Sequence, residues 1–589
     1  MRRSRMVALT GAVALATSAF GAAATSAGAA TSPSSATVTS EARTYQVLAD
    51  TGVSAKELAR TLTRAGAAVT GRNDAIGLVS VTSKDAAFAR TARGLAGVKG
   101  AAADRSIGQA PADVVAKPDP VEQEHVFDAS RANGTPKDIA PPPEGGDPLD
   151  GALWGMDMID AFEAHAVEQG DKVRVGILDT GVDGSHLDIA PNFDATLSRN
   201  FTTDIPAIDG PCEYAGCVDP ANVDNDGHGT HVAGTIGAAL NGVGVSGVAP
   251  EATIVNIRGG QDSGYFFLGP VANALTYAGD NGLDVVNMSF YVDPWLYNCR
   301  GGAPEDVLKS PEAVAEQNLI IDTMTRALGY ATAHGVALVG ALGNSHEDLA
   351  NPRTDLSSPD YDNPAYSWDS APWARTIDNA TCLDLPVEGP DVIGVSSLGP
   401  SGTKSDFSNY TTDLGSGELE VSAPGGWFRD GFGTASSLTN GNLILSAAPL
   451  AVLQSTGEVD KNGNVTKAGR TNGVVKSCVN GKHNENTSEC AYYQWLQGTS
   501  MASPHATGVA ALVVAAHGSG TSEANFGLAP AQTRAILMDT ATNHACPEPP
   551  LQTYLNEGRS AEFNALCVGT ADFNGFYGDG IVNALGAVS

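Results

Sequence analysis

Basic residues are scarce in this chain. Its 589 residues carry 34 Lys and Arg against 66 Asp and Glu, a formal net charge of −32. A surface of that sign repels phosphate backbones, which excludes non-specific nucleic-acid binding as the function. Aromatic residues are also few, at 6%, a composition that fits disorder; the 42% hydrophobic share, laid out in spaced apolar runs, excludes that for most of the length. No C-x-x-C pair occurs among the eight cysteines, so zinc-ribbon and dithiol redox chemistry fit poorly. Beyond the amino-terminal thirty residues, no apolar run reaches the length needed to span a membrane.

What is present begins with "MRRSRMVALTGAVALATSAFGAAATSAGAATSP". Arg2, Arg3 and Arg5 form a basic start, Met6 to Phe20 an apolar stretch, and Ala27 to Ala30 an A-x-A-like cleavage site. This has the form of a secretory signal peptide over residues 1–30, too short and too diluted by Ala and Thr for an anchor. Export and an even cysteine count imply disulfides. Near-neighbour pairing gives Cys212–Cys217, Cys299–Cys382, Cys478–Cys490 and Cys546–Cys567 as the expectation, although spacing alone does not fix connectivity.

Residues 44–110 read as a compact unit. "TYQVLAD" alternates like a strand, "SAKELARTLTRAG" has helical spacing, and two strands, a second helix and a last strand follow. The order β-α-β-β-α-β predicts a small ferredoxin-like α+β sandwich. Residues 111–150, with "APPPEGGDPLDG", read as a linker. From 151 to 589 the pattern changes. "KVRVGILDTGV", "ATIVNIRG", "LDVVNMSF" and "GVALVGALGN" are short apolar runs ending in Gly, Asp, Phe or Asn, separated by helical segments. Continuous apolar strands alternating with helices predict an α/β fold, a parallel sheet covered by helices on both faces. In such sheets ligands collect at the carboxyl ends of the strands.

Three stretches carry chemistry. Asp179 closes the strand of "VRVGILDTGVDGSH", His228 opens the small-residue helix of "DGHGTHVAGTIGA", and Ser500 sits at the start of "GTSMASPHATGVAAL". A serine hydroxyl is a weak nucleophile at neutral pH. It needs a base within reach, and the base needs a third group to hold its tautomer. Each stretch has a plainer reading: a turn for "DTG", a helix cap for Ser500, a metal pair for His228 and His231. The last fails because Gly229 stands where a zinc-protease helix needs Glu.

Together the three stretches resemble the signatures of the subtilisin-like serine proteases, a family known for the chain order Asp, His, Ser. The similarity extends over residues 151–589, and the 44–110 unit looks like the family's inhibitory propeptide. The resemblance implies a subtilisin-like fold and an exported endopeptidase made as a zymogen, a monomer acting on protein or peptide substrates. It assigns Asp179 as orienting carboxylate, His228 as general base, Ser500 as nucleophile and Asn344, closing "GVALVGALGN", as oxyanion donor. For Asn344 a turn-capping role is the alternative. Ser289, Phe290, Ala341, Leu342 and Gly343 match the substrate-binding segments. Leu342, where Ala is common, and Phe290 raise the expectation of a narrowed or stacking pocket, with core packing as the alternative for Phe290. Pro504 is expected in the first turn of its helix, where it is harmless. The resemblance implies no cofactor for the chemistry and permits structural calcium, for which "DPANVDNDG" offers Asp219, Asp224 and Asp226; a solvated acidic loop is the plainer reading. Two long insertions, one after Phe290 and one between Asn344 and Ser500, are expected to be ordered by their cysteines. Two rival readings remain open: a protease that matures one peptide, and a non-catalytic protein that kept the fold.

Overall fold

The computed structural model describes residues 42–104, 139–352, 354–355, 374–479 and 489–589. The apolar runs form neighbouring strands. One seven-stranded sheet has the order Val421–Pro424, Val392–Leu398, Ala337–Ala341, Val285–Met288, Arg174–Leu178, Thr253–Arg258, Arg199–Asn200. Every pairing in it is parallel. Successive side chains on a strand serve opposite faces. Accordingly Val285 enters one hydrophobic core and Val286 the other, as do Val339 and Leu338. Helices His228–Gly237 and Thr499–His517 cover the first face, and Leu268–Asp280 and Pro311–Ala333 the second. This is the expected α/β architecture.

The amino-terminal unit has the expected order too. Four antiparallel strands lie in the order Ala68–Asn73, Leu78–Ser83, Arg43–Ala49, Val98–Ala103, with helices Ala55–Arg64 and Phe88–Arg93. One face of the unit, with Leu48, Ile76, Leu78 and Ala102, joins the second core. Arg326 donates to the carbonyls of Ala49 (2.9 Å) and Ile76 (3.0 Å), and Asn73 Nδ2 donates to Asn273 Oδ1 (3.0 Å) and Thr276 Oγ1 (2.8 Å). The signal segment 1–30, residues 105–110 of the expected propeptide and residues 111–138 of the expected linker lie outside the described residues. The end of that linker belongs to the folded body. Leu149 is in the core, the Asp147 carboxylate accepts from Asn241 N and Gly242 N, and Asp150 accepts from Ser246 N and Oγ.

All four disulfides join the expected neighbours. The Cys299–Cys382 bond also links the two insertions, where strands Tyr297–Cys299 and Cys382–Asp384 pair. Arg375 reaches from the second insertion into the first. Its buried guanidinium contacts Asp306 (3.2 Å), Asp355 (3.0 Å) and the Tyr297 carbonyl (3.0 Å), and it lies over the Trp295 ring at 4.6 Å.

Helix Thr499–His517 is fixed to the sheet by polar groups at the carboxyl end of strand Val285–Met288. Asn287 Oδ1 accepts from Ser503 Oγ (2.7 Å) and Thr507 Oγ1 (2.9 Å), and its Nδ2 donates to Ser289 Oγ (2.9 Å). Pro504 is the sixth residue of the helix, in its second turn and not its first. Lacking an N–H, it leaves the Ser500 carbonyl without its intrahelical donor. Ser289 Oγ supplies the bond at 3.1 Å. These groups are all buried. Replacing Asn287 by Ala is therefore expected to cost about 1–3 kcal/mol for each buried group left unpaired. Chemical denaturation checks this; an unchanged midpoint would contradict the clamp.

Candidate active site

The sheet's carboxyl edge collects the predicted residues. Asp179 directly follows strand Arg174–Leu178, Ser289 follows the neighbouring strand Val285–Met288, and Asn344 lies past the next, Ala337–Ala341. His228 is the first residue of its helix, and its Nδ1 lies 2.8 Å from Asp179 Oδ1. The Asp179 side chain is fully buried and that of His228 is 14% exposed. Asp179 Oδ1 also accepts from Thr180 N at 2.8 Å. Burial pushes the Asp179 carboxyl up from its usual range, against the opposing pull of His228. A buried acceptor facing Nδ1 favours the tautomer with its proton there, and leaves Nε2 as the basic nitrogen.

Asp224 holds the His228 helix in this position. Its Oδ2 accepts from Thr230 N (3.0 Å) and Thr230 Oγ1 (2.6 Å), and its Oδ1 from Gly227 N (2.9 Å) and Thr180 Oγ1 (3.1 Å). A carboxylate on the orphan N–H groups of a helix start is favourable in both hydrogen bonding and dipole terms. Thr180 links back, accepting from Gly229 N at 3.1 Å. Gly229 has to be glycine, because a Cβ there would lie 2.1 Å from the Gly181 carbonyl oxygen. Asp226 accepts from His228 N at 3.0 Å, and its carboxyl is pushed up to about 7 by burial and then by Asp224.

Two of the acids named for a calcium loop are engaged by the protein itself. Asp224 is occupied as a helix cap, and Asp219 Oδ2 receives Arg258 Nη1 at 2.8 Å and Asn225 Nδ2 at 3.0 Å. Among the described residues the acids that converge on one point are instead Asp204, Glu213 and Asp262. His231 turns its Nε2 to the carbonyls of Ile444 and Gln494, away from any metal pairing with His228.

Ser500 is the second residue of its helix and 5% exposed. Asn344 joins the same helix start, its Oδ1 accepting from Thr499 N and Thr499 Oγ1, each at 2.9 Å. An amide whose oxygen is taken this way has its Nδ2 donors turned to the other side. Gly343 donates to Thr499 Oγ1 at 3.1 Å and has φ +106°; a Cβ there would lie 2.4 Å from Asn409 Nδ2. Asn409 supports this turn, donating to the Leu342 carbonyl (3.0 Å) and accepting from Ser345 N (3.1 Å) and Glu347 N (2.9 Å).

Of the expected substrate-binding residues, Ser289 directs its hydroxyl to the Ser500 carbonyl. Phe290 is half-buried and stacks on Phe266, with centroids 4.0 Å apart and planes 4° from parallel. Ala341 ends its strand nearly buried. Leu342 is fully buried in the second core, so its bulk is absorbed there. Asn287, Asn409 and Asp224 in its capping role are residues that sequence reasoning missed. Their partners lie many residues away, and only Asp224, four residues before His228 in a Gly-Asp-rich turn, carries a local signal of capping.

The arrangement offers a base held by a buried carboxylate, a hydroxyl at a helix start and an amide beside it. Comparisons with known proteins agree with that set. The profile of the subtilase family, peptidase S8, matches residues 170–563. Subtilisin Savinase of Lederbergia lenta is 34% identical over 193 residues, 33% of this chain and 55% of that protein. Subtilisin DY of Bacillus licheniformis is 26% identical over 391 residues, 66% of this chain and 91% of that protein. The chain thus spans about half the length of Subtilisin Savinase, and 39% of the similar alkaline protease of Shouchella clausii. The epidermin leader peptide processing serine protease (EpiP) from Staphylococcus aureus shares the fold, with a TM-score of 0.58 at 18% identity over 93% of this chain and 98% of its own. Since the family profile covers more than half of the sequence, the chain belongs to the subtilase family.

Proposed function

We propose that this chain is a secreted serine endopeptidase, made as a zymogen, in which Asp179, His228 and Ser500 act as one relay. The observation that carries the reading is the 2.8 Å bond between buried Asp179 and His228 at the same sheet edge that holds the Ser500 helix. In this mechanism His228 Nε2 takes the Ser500 hydroxyl proton as Oγ attacks the scissile carbonyl carbon. The negative charge then rests on the substrate oxygen. Asn344 Nδ2 and the Ser500 backbone N–H are the donors to it, and the helix start adds its positive dipole end. His228 returns the proton to the leaving amine, which departs and leaves an acyl-enzyme on Ser500. Water, activated by the same imidazole, releases the acyl group.

The docked 42–104 unit supports the zymogen reading, since it packs on both helices of the second face. The amino-terminal sequence supports secretion. No described helix is long and apolar enough to cross a membrane.

Ser500→Ala is expected to abolish hydrolysis of a denatured protein substrate; retained hydrolysis would refute the assignment. Asn344→Ala should lower kcat by roughly 100- to 1000-fold with little change in KM, the scale known for the loss of this donor in a subtilisin. Steady-state kinetics on a peptide substrate reads both.

A base has to be unprotonated to work. Rates should therefore rise with pH as His228 loses its proton, the reference imidazole titrating near 6.5. A kcat/KM profile flat from about pH 5 to about pH 9 would remove His228 from the base role.

A further inference from the structure

We propose that the Asp384 carboxylate receives the side chain of the residue that supplies the scissile carbonyl, and that this residue is Lys or Arg; the proposal rests on the endopeptidase reading above. Asp384 ends strand Cys382–Asp384 and is only 3% exposed. Its Oδ2 lies 3.3 Å from the point where a Cβ on Gly343 would sit. Gly343 is among the residues expected to bind substrate, and Asn344, the proposed oxyanion donor, follows it. Consecutive Cα atoms are about 3.8 Å apart, so the carboxylate stands beside the residue that precedes the donor. The carbonyl that Asn344 would serve belongs to the residue on the acyl side of the cut. The side chain brought nearest to Gly343 is therefore that residue's own, and glycine places no side chain in its way. Lys and Arg carry a cation at the end of a long, unbranched stem that can reach past Gly343.

An acid near a site says little alone, and the second observation is that Asp384 has no partner. Among the described residues nothing donates to its carboxylate, and no cation opposes its burial. Burial, then the neighbouring carboxylate Asp355, pushes it up to about 8. Arg375, in the same insertion, is taken by Asp306 and Asp355. Directly across the strand pair lies Tyr297. Opposed residues share a face, with Cβ atoms about 4.5–5.5 Å apart. The Tyr297 hydroxyl is buried, and it too has no hydrogen-bond partner among the described residues. Burial, then Asp384, pushes it well above the usual tyrosine range. Buried polar groups left bare are strongly unfavourable. A guanidinium brings five N–H donors in a planar fork and an ammonium three, so either supplies donors and charge together.

The acid is held in place by its own turn. Glu388 Oε2 accepts from Asp384 N, and Glu388 N donates to the Asp384 carbonyl at 2.8 Å. The Cys299–Cys382 bond anchors the strand two residues earlier. Glu388 is answered by Glu418 through a hydrogen bond between the two carboxyls, which leaves Asp384 to face the substrate side. A metal ion fits less well than a basic side chain. Among the described residues Asp384 belongs to no set of three acid, imidazole or thiol ligands that converge on one point. The chain's net charge of −32 also favours the approach of basic peptides.

The test uses the enzyme processed from the full chain and a peptide series that differs only in the residue on the acyl side of the cut: Arg, Lys, Gln, Leu and Phe. The expected kcat/KM is about 100-fold higher for Arg and Lys than for Leu, the scale on which one partner of a buried charge pair acts. In Asp384→Asn, which keeps the shape, the Arg-to-Leu ratio should fall by about 100-fold. In Tyr297→Phe it should fall by about fivefold. A parent enzyme that prefers Leu or Phe would overturn the proposal, and that measurement needs no variant. Preference for Gln over Arg would overturn it too, making Asp384 a protonated donor to a neutral side chain. So would an Arg-to-Leu ratio unchanged in Asp384→Asn. Each of these outcomes leaves the endopeptidase reading standing. No cleavage of any peptide, with Ser500 unlabelled by a fluorophosphonate, overturns both.

Discussion

The Ser500 carbonyl has no partner inside its own helix, because Pro504, four residues on, brings no N–H. Ser289 provides the missing bond from the edge of the sheet, and Asn287 holds Ser289 while also receiving Ser503 and Thr507. A gap in one helix is thus the means by which that helix is registered against the sheet. The other parts follow from it. Asn344 is set by Thr499, the neighbour of Ser500, and the Asn344 turn is set by Asn409. On the other side Asp224 and Thr180 bind the start of the His228 helix to the strand end that carries Asp179. Each chemical group is held by hydrogen bonds to a neighbouring element, so the geometry does not rely on loop packing alone.

The sequence made the large features readable for local reasons. Apolar strands that end in polar residues locate the sheet edge, and Asp179, Asn344 and the Ser500 helix all lie there. Close spacing gave the disulfides, the 83-residue separation of Cys299 and Cys382 being the exception. What was hidden depends on distant partners. That the Ser289 hydroxyl bonds the Ser500 carbonyl becomes visible only once Pro504 is seen to orphan that carbonyl. Leu342 suggests a narrowed pocket until its side chain is found in the core. The acids of "DPANVDNDG" gave no sign that Asp219 pairs with Arg258 or that Asp224 caps the His228 helix through Thr230. No periodicity in a single stretch carries that information.

The acidity that excludes nucleic acid also shapes the interior. Several carboxyls are buried with few cationic partners, and burial pushes Asp188 and Asp384 up to about 8. Arg258 and Arg375, the two fully buried arginines among the described residues, answer part of this charge by pairing with Asp219, Asp262, Asp306 and Asp355. Around Asp204 the pairing falls short by more than one carboxylate.

Catalysis by this relay requires Ser500 to be activated by its neighbours. Treatment with a fluorophosphonate, followed by peptide mass spectrometry, tests that most directly. The predicted result is one phosphonylated residue, Ser500, with labelling lost in His228→Ala. An unlabelled Ser500 in folded, propeptide-free protein, or labelling indifferent to His228, would contradict it.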